Sequence, residues 1–155
     1  MPLERVDHFL LQTTDLSATR DWYVKVLGMR VGPHPDFKFP VIWLYLGDKD
    51  VLHVSEGGAR VSENRKRYLG QDSQAEAGTG VLDHIAFHAT GLKQMIEHLQ
   101  RLGIAFQQRM VDDQGLYQLF LKDPVNGVKI ELSYANAEAA AAGIRPELMA
   151  TQIGS

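Results

Sequence analysis

Two short stretches decide the fold: Val6-Asp7-His8-Phe9 near the start of the chain, and Leu82-Asp83-His84-Ile85, which repeats the Asp-His pair 76 positions later. Each stretch opens a predicted strand that leads into a helix, and the helix-ending Gly28 has its counterpart in Gly103 after one deleted position. Self-similarity over this length indicates a duplicated structural unit. A duplication that puts a histidine at the same point of each copy predicts two imidazoles directed at one metal site.

The first copy has the pattern of a βαβββ module. Apolar runs and turn residues set its elements, and a Pro- and Gly-containing stretch at 32–35 interrupts the chain after the helix. The predicted elements are a strand over 5–13, a helix from a cap at Asp15 or Ser17 to Gly28, and strands over 41–46 and 51–54 joined by a turn at 47–50.

The second copy repeats this order, and we predict one α+β domain over residues 1–155. Module one spans 3–55, a polar connecting loop 56–80, module two 81–134, and a C-terminal helix with its tail 135–155. A helical turn near 65–69 is possible within the loop, and the tail from 144 onward either docks or stays mobile. The predicted elements of module two are strands over 82–89, 104–110, 116–121 and 128–134, and a helix over 92–102 ended by Gly103; the terminal helix over 135–142 ends at Gly143.

Composition narrows the function classes. The chain has 155 residues, 45% of them hydrophobic, a net charge of −3 and no cysteine. It has no excess of basic residues, so nucleic acid and an anionic membrane surface are not expected partners. The absence of cysteine excludes disulfides and thiolate chemistry, so any metal is held by nitrogen and oxygen. No apolar signal core and no run of about 18 apolar residues occurs, which predicts a soluble, cytoplasmic protein.

Four side chains form the candidate metal site. Strand alternation places His8 and His84 at matched points of the two opening strands, and His53 and Glu131 at matched points of the two closing strands. If the modules pair about a pseudo-twofold axis, all four converge. Imidazole and carboxylate suit one divalent ion, Zn, Ni, Fe, Co or Mn.

The opposing interpretation is structural. A lone histidine on an apolar strand is commonly a core residue, and His53 is equally a hydrogen-bonding neighbour of the ligands. Recurrence within the repeat and the position of Glu131 inside an apolar strand favour metal binding, since an unpaired carboxylate there costs several kcal/mol. His88 shares the predicted face of His84, whereas His34 and His98 are expected to face solvent.

These residues resemble a known family, the vicinal oxygen chelate superfamily, which includes glyoxalase I, extradiol dioxygenases, fosfomycin resistance proteins and bleomycin resistance proteins. The resemblance spans both modules, and the motifs are specific together rather than singly. The motifs are Val6-Asp7-His8 with the helix end Trp22-Tyr23 to Val26-Leu27-Gly28, then Leu82-Asp83-His84-Ile85, and then Asp123-Pro124-Val125-Asn126-Gly127 with Val128-Lys129-Ile130-Glu131-Leu132.

The resemblance implies a cupped half-barrel of two βαβββ modules around a divalent ion. By position His8, His84 and Glu131 fall on the family's usual ligands. His53 falls on its variable fourth ligand, usually Glu or Gln in the isomerases, and is a departure. The resemblance also implies a small-molecule substrate and a homodimer, and a swapped arrangement would share the site between two copies.

Three functions stay open. A Lewis-acid isomerase or lyase of glyoxalase type would act on a substrate with adjacent oxygens through an enolate, with Glu131, or else an unbound His53, as the base. An Fe(II) ring-cleaving dioxygenase needs three open coordination positions. The resemblance implies that such an enzyme also has a His and a Tyr before the Asp-Pro turn. Phe120 stands where that Tyr would be and Val111-Asp112-Asp113 supplies no His, so His88 and Tyr117 would have to take over. The third function is metal-free ligand binding, as in the bleomycin-sequestering proteins.

Substrate recognition has fewer signals. Phe37 and Phe39 lie in a proline-flanked loop that either caps the cavity or packs on a strand. Trp43 and Tyr45 are more typical of a core or an interface, and a basic cluster at Arg60, Arg65, Lys66 and Arg67 is typical of a solvated loop.

Overall fold

The same order of paired strands occurs twice along the chain. The computed structural model describes residues 5–57, 63, 78–79, 82–146 and 148–149. The chain divides into two units, Met1–Gly78 and Thr79–Ser155. The elements of the first unit are β1 (Phe9–Thr13), α1 (Leu16–Leu27), β2 (Arg30–Gly32), β3 (Val41–Leu46) and β4 (Lys49–Glu56). Its sheet has the order β1-β4-β3-β2, with β1 parallel to β4 and the other pairs antiparallel.

The second unit repeats this topology with one addition. Its elements are β5 (His84–His88), α2 (Leu92–Leu102), β6 (Gln107–Val111), a 3-10 turn (Asp112–Gln114), β7 (Leu116–Lys122), β8 (Lys129–Ala135), α3 (Asn136–Ala142) and β9 (Leu148–Met149). The order β5-β8-β7-β6 matches the first sheet, and β9 extends it by pairing in parallel with β6. The tail therefore docks on the sheet edge, one of the two outcomes left open by the sequence. The predicted α+β fold of two βαβββ modules is confirmed, and both sheets are open rather than closed.

Several predicted boundaries differ from the structure. The first strand begins at Phe9 rather than Arg5. Strand β2 was not predicted, because it has only three residues, of which Arg30 and Val31 are exposed, and Pro33 follows it directly. Lys49 and Asp50 belong to β4 instead of the turn, which leaves Gly47 and Asp48 to join β3 and β4. A register shift between Leu44 and Tyr45 accommodates the longer strand.

Helix α1 begins and ends at residues that the sequence singles out. The Asp15 carboxylate accepts a 2.9 Å hydrogen bond from the Ala18 amide, which satisfies one of the amides that have no partner within the helix. At the other end Gly28 has φ of 71°, a left-handed conformation that glycine adopts without a Cβ clash. The Gly28 amide donates to the Val24 carbonyl at 3.1 Å, and the following Met29 amide donates to the Tyr23 carbonyl at 3.2 Å. The chain then turns back along the sheet into β2.

Each sheet has one face covered by helices. In the first unit α1 contacts β3 and β4 and buries Tyr23 and Val26 with Leu44, Leu52 and Val54. In the second unit α3 contacts α2, β7 and β8. Its buried core is made of Leu92, Leu99, Tyr117, Leu119, Ile130, Leu132, Tyr134 and Ala139. Because side chains alternate along a strand, the candidate site residues lie on the opposite face of each sheet.

The turn between β7 and β8 is held by Asp123, which is fully buried. Its carboxylate accepts from the backbone amides of Val125 and Asn126 at 2.7 and 3.0 Å, and from the Asn126 side chain at 3.0 Å. This network fixes the start of β8 and thereby the register that carries Glu131. Among the described residues, no helix is long and apolar enough to cross a membrane.

Some sequence features fall on undescribed residues. The predicted helical turn at 65–69 and the basic cluster Arg60, Arg65, Lys66 and Arg67 lie outside the described residues, as do residues 150–155 of the tail.

The Asp15 cap generates a stability prediction. Asp15→Ala should lower the free energy of unfolding by about 1 kcal/mol because the Ala18 amide loses its acceptor. Asp15→Asn, which keeps an acceptor oxygen, is the matched control and should stay within about 0.5 kcal/mol of the parent protein. Urea unfolding at neutral pH measures both variants, and equal losses in the two would contradict the capping role.

Candidate functional site

Strand register places the candidate residues at equivalent points of the two units. His53 on β4 pairs with Leu10 on β1, and Glu131 on β8 pairs with Ala86 on β5. His8 and His84 lie two residues before Leu10 and Ala86, so each histidine shares a sheet face with its unit's His53 or Glu131. The structure therefore brings together one pair in each unit.

In the second unit the pair is in direct contact. His84 Nε2 lies 2.9 Å from Glu131 Oε2, and His84 Nδ1 lies 2.8 Å from Asp83 Oδ1. The Asp83 carboxylate also accepts from Lys129 Nζ at 2.8 Å. Hydrogen bonds from Lys129 and His84 hold the pKa of Asp83 below its ordinary value. Asp83 is thus ionised and can only accept, so His84 donates from Nδ1.

This tautomer makes the contact with Glu131 informative. An imidazole that donates from Nδ1 presents a lone pair at Nε2, and a carboxylate oxygen also presents lone pairs. Two lone pairs at 2.9 Å repel unless a cation bridges them, either a proton that makes His84 an imidazolium or a metal ion. Nitrogen and oxygen ligands about 2.0–2.2 Å from one ion and roughly at right angles lie about 3 Å apart. The His84–Glu131 pair therefore fits a divalent ion.

The other oxygen of Glu131 is held by neutral donors. Gln118 Nε2 donates to Glu131 Oε1 at 2.7 Å, and Ser133 Oγ donates to the same oxygen at 2.8 Å. Gln118 Oε1 accepts from Arg109 Nη2 at 2.9 Å and Nε at 3.2 Å. Because the guanidinium has no acceptor, it fixes the orientation of the Gln118 amide, which in turn fixes the carboxylate. Oε2 is thereby directed at His84.

The first unit repeats the Asp-His arrangement. His8 Nδ1 lies 2.8 Å from Asp7 Oδ2, and Asp7 Oδ1 accepts from Lys49 Nζ at 2.9 Å. Hydrogen bonds from His8 and Lys49 lower the pKa of Asp7. His8 therefore also donates from Nδ1 and presents Nε2, as His84 does. Carboxylate-oriented imidazoles are the usual form of histidine metal ligands.

His53 is placed differently from Glu131. Its ring is stacked between Trp43, at 3.8 Å and 5°, and His8, at 3.8 Å and 19°. Its Nε2 lies 2.6 Å from Asp50 Oδ2. Stacked imidazoles direct their nitrogens along nearly parallel lines, so one ion cannot take a nitrogen from both His8 and His53 in this arrangement.

The electrostatics of His53 and Asp50 agree with a neutral imidazole. Burial lowers the pKa of His53, against the hydrogen bond to Asp50, which raises it. The hydrogen bond from His53 lowers the pKa of Asp50 to about 2. Asp50 is therefore an ionised acceptor at neutral pH, and His53 donates from Nε2 and keeps its basic nitrogen at Nδ1.

The remaining predicted residues are dispersed. Tyr117 is fully buried on the helix-covered face of its sheet, opposite the Glu131 face, and its hydroxyl donates to Gln108 Oε1 at 2.7 Å. His88 is exposed on the His84 face, next to Ser133 across the strands. His34 is exposed as expected, whereas His98 is half-buried. Across the described ranges, no three His, Cys, Asp or Glu side chains form a cluster with metal-ligand spacing.

A cavity of about 340 Å³ opens on the His8 and His53 face of the first unit. Its wall includes the loop before β3, with Phe37 and Phe39, and Trp43 of β3 itself. Of the two roles left open for that loop, the structure gives it a place in a cavity wall. Trp43 also lines the cavity, although a core or interface position was expected from the sequence.

Comparison with known families agrees with this geometry. The model of the Glyoxalase/Bleomycin resistance protein/Dioxygenase superfamily matches residues 5–132 of the chain. The chain belongs to this superfamily. The family resemblance inferred from the two Asp-His motifs is thereby confirmed.

Solved structures with the same fold come from proteins of differing activity. Lactoylglutathione lyase from Agrobacterium tumefaciens is 17% identical with a TM-score of 0.63, covering 86% of this chain and 96% of that one. The fosfomycin resistance protein FosX from Listeria monocytogenes is 15% identical with a TM-score of 0.60, covering 88% and 98%. A glyoxalase family protein from Enterococcus faecalis is 26% identical with a TM-score of 0.53, covering 84% and 97%. The superfamily assignment thus fixes the fold and leaves the reaction of this member to its own residues.

Sequence reasoning missed the partners that orient the site of this superfamily member. Asp7 and Asp83 belong to the repeated motif, and their recurrence was a signal equal to that of the histidines. Gln118 and Arg109 gave no comparable signal, since their contacts depend on cross-strand register that no local pattern reports. Asp50 lies three residues before His53 on β4, and this spacing was not recognised as a contact.

The Asp50–His53 contact generates a prediction for acid stability. A carboxyl whose pKa falls from 3.8 to about 2 on folding stabilises the protein above pH 3.8, and that contribution is lost as the pH falls towards 2. As the pH falls from about 4 to about 2, the metal-depleted parent protein should lose on the order of 1–2 kcal/mol of its free energy of unfolding through this carboxyl group. The Asp50→Asn variant should not show this loss. Urea unfolding across pH 2–7 measures it.

The matched control is Asp48→Asn in the adjacent turn, where the side chain is exposed. This variant should keep the slope of the parent protein between pH 4 and 2. An Asp50→Asn profile that coincides with the parent profile would show that the His53 contact does not set the acidity of Asp50.

Proposed function

We propose that the protein is a divalent-metal-dependent enzyme that acts on a small molecule with two adjacent oxygens, by isomerase or lyase chemistry of the glyoxalase type. The observation that carries the proposal is the 2.9 Å contact between His84 Nε2 and Glu131 Oε2, which needs a bridging cation. Superfamily membership supports a metal in that place, because a divalent ion is common among its members.

The proposed ligands are His8, His84 and Glu131. The sequence also predicts His53 as a fourth ligand, which would require its ring to leave the stack on His8, because one ion cannot take a nitrogen from both rings while they are stacked. His8 and His84 are supported by the same carboxylate orientation, which leaves Nε2 of each for coordination. His53 has weaker support, since its Nε2 is engaged by Asp50. When bound, the ion would supply Lewis acidity towards the two substrate oxygens.

Glu131 is the proposed base. Because Gln118 and Ser133 hold its Oε1, Oε2 is the oxygen that would take a proton from the substrate carbon beside the oxygens when it is not serving as an ion ligand. The electron pair of the broken C–H bond stays with the substrate. Return of the proton to the neighbouring carbon completes an isomerisation, and loss of a leaving group completes a lyase reaction. The neutral donors Gln118 and Ser133 orient the carboxylate without sharing a charge with it.

The other two candidate functions have less support from the described residues. Ring cleavage would use a Tyr and a His beside the ligands, and Tyr117 lies on the opposite face of its sheet from Glu131. Metal-free ligand binding is compatible with the cavity of the first unit, but it gives no role to the Asp83–His84–Glu131 arrangement.

Metal affinity tests the proposal. His84→Ala should weaken binding of Zn²⁺, Ni²⁺ or Mn²⁺ by more than about 100-fold, because loss of a mere orienting partner already costs 10- to 100-fold. His53→Ala should weaken it less. Isothermal titration of chelator-treated protein measures both, and His98→Ala, on helix α2, is the control with unchanged affinity.

Two results would contradict the proposal. If His84→Ala left the metal affinity unchanged, the metal would not bind at the His84–Glu131 pair. If the affinity for a small-molecule ligand were the same with and without one equivalent of metal, the metal-free binding function would be favoured. Equal losses in His84→Ala and His53→Ala would instead make His53 a full ligand, as the sequence position predicts.

A further inference from the structure

The cavity of the first unit has an aromatic wall that the metal chemistry does not require. Phe37 and Phe39 stack at 5.2 Å between ring centroids, and Phe37 lies 6.2 Å from Trp43 at an angle of 46°. Trp43 has one face on His53, so the indole is fixed in place. All three rings are half-buried and line the cavity. Apolar ring surface thus faces an open space.

The rest of the wall divides into an apolar part and a polar part. Val41 and Leu10 continue the aromatic wall, and Leu10 is 43% exposed although it lies in a sheet. The polar lining consists of His8, His53, Ser55 and the carboxylates of Asp7 and Asp50. A volume of about 340 Å³ falls within the roughly 300–1,000 Å³ typical of small-molecule pockets.

The aromatic residue at the equivalent position of the second unit has different neighbours. Trp43 pairs with His53 as Phe120 pairs with Glu131, so the two aromatic residues are equivalent. Arg109 lies over the Phe120 ring at 4.7 Å, so a cation occupies one face of that ring, which also borders a separate cavity of the second unit. At the equivalent position of the first unit Trp43 stacks on the His53 ring and borders the cavity, and no cation covers it in the described contacts.

We propose that this cavity binds a planar aromatic group of the substrate, with the substrate oxygens on the His8 and His53 side. The position of the oxygens rests on the proposed function; the aromatic preference rests on Phe37, Phe39 and Trp43 alone. Flat rings stack on or meet the edges of such side chains, and this geometry adds binding energy beyond the burial of apolar area. A puckered saturated ring buries similar area without that gain.

The test compares two ligands that share the same pair of oxygens. 2-Hydroxyacetophenone carries a phenyl ring beside a hydroxyketone, and 1-cyclohexyl-2-hydroxyethanone carries the saturated ring. Titration calorimetry on the chelator-treated full chain should give about three- to tenfold tighter binding of the phenyl compound. Phe37→Leu and Phe39→Leu should each bring the ratio of the two dissociation constants close to one.

Phe106→Leu is the matched control, because Phe106 is half-buried and lines a separate cavity of the second unit. It should keep the ratio of the parent protein. A ratio near one in the parent protein, or a ratio that survives both Phe37→Leu and Phe39→Leu, would overturn the inference. Circular dichroism of each variant checks that the fold is intact, so that a change in the ratio of dissociation constants can be assigned to the aromatic wall of the cavity.

The same titrations repeated with one equivalent of Ni²⁺ separate this inference from the proposed function. Tighter binding of both compounds with metal, without a phenyl preference, would retain the metal chemistry and overturn the aromatic site. A phenyl preference that metal leaves unchanged would retain the aromatic site and count against metal-dependent binding of the oxygens.

Discussion

The candidate site depends on one contact, in which Asp83 accepts a hydrogen bond from His84 Nδ1 and so leaves the Nε2 lone pair 2.9 Å from a carboxylate oxygen of Glu131. Such a pair is stable only with a cation between the two atoms. Two further features of the second unit support this contact: the Asp123 turn fixes the start of β8, and Arg109 acts through Gln118 to hold the second carboxylate oxygen.

The first unit uses the same strand positions with different side chains. Its Asp7–His8 pair repeats the orientation seen at Asp83–His84, but His53 stands in place of Glu131 and stacks on Trp43. The duplicated frame therefore carries a His–Glu pair in one unit and an aromatic cavity wall in the other. Asymmetric substitution within a repeated frame is how a fold shared by many reactions acquires one reaction.

Sequence reasoning predicted the frame well because its signals are local or periodic. Asp15, Gly28, Gly103 and Gly143 mark helix ends by their own backbone chemistry, and the repeat placed His53 and Glu131 at equivalent register. It failed where the outcome depends on contacts between strands. Strand β2 has only three residues, most of them exposed, so it gives no alternating pattern. Neither the link from Arg109 to Glu131 nor the stacking of His53 follows from any spacing along the chain.

The most direct measurement is X-ray absorption of the protein loaded with one equivalent of Ni²⁺ or Zn²⁺, compared with its Glu131→Gln variant. The account predicts mixed imidazole nitrogen and carboxylate oxygen ligands at about 2.0–2.2 Å, and a changed oxygen shell in the variant. An ion without imidazole scattering, or a spectrum identical in the two proteins, would contradict the bridging cation and leave the His84–Glu131 contact to a proton.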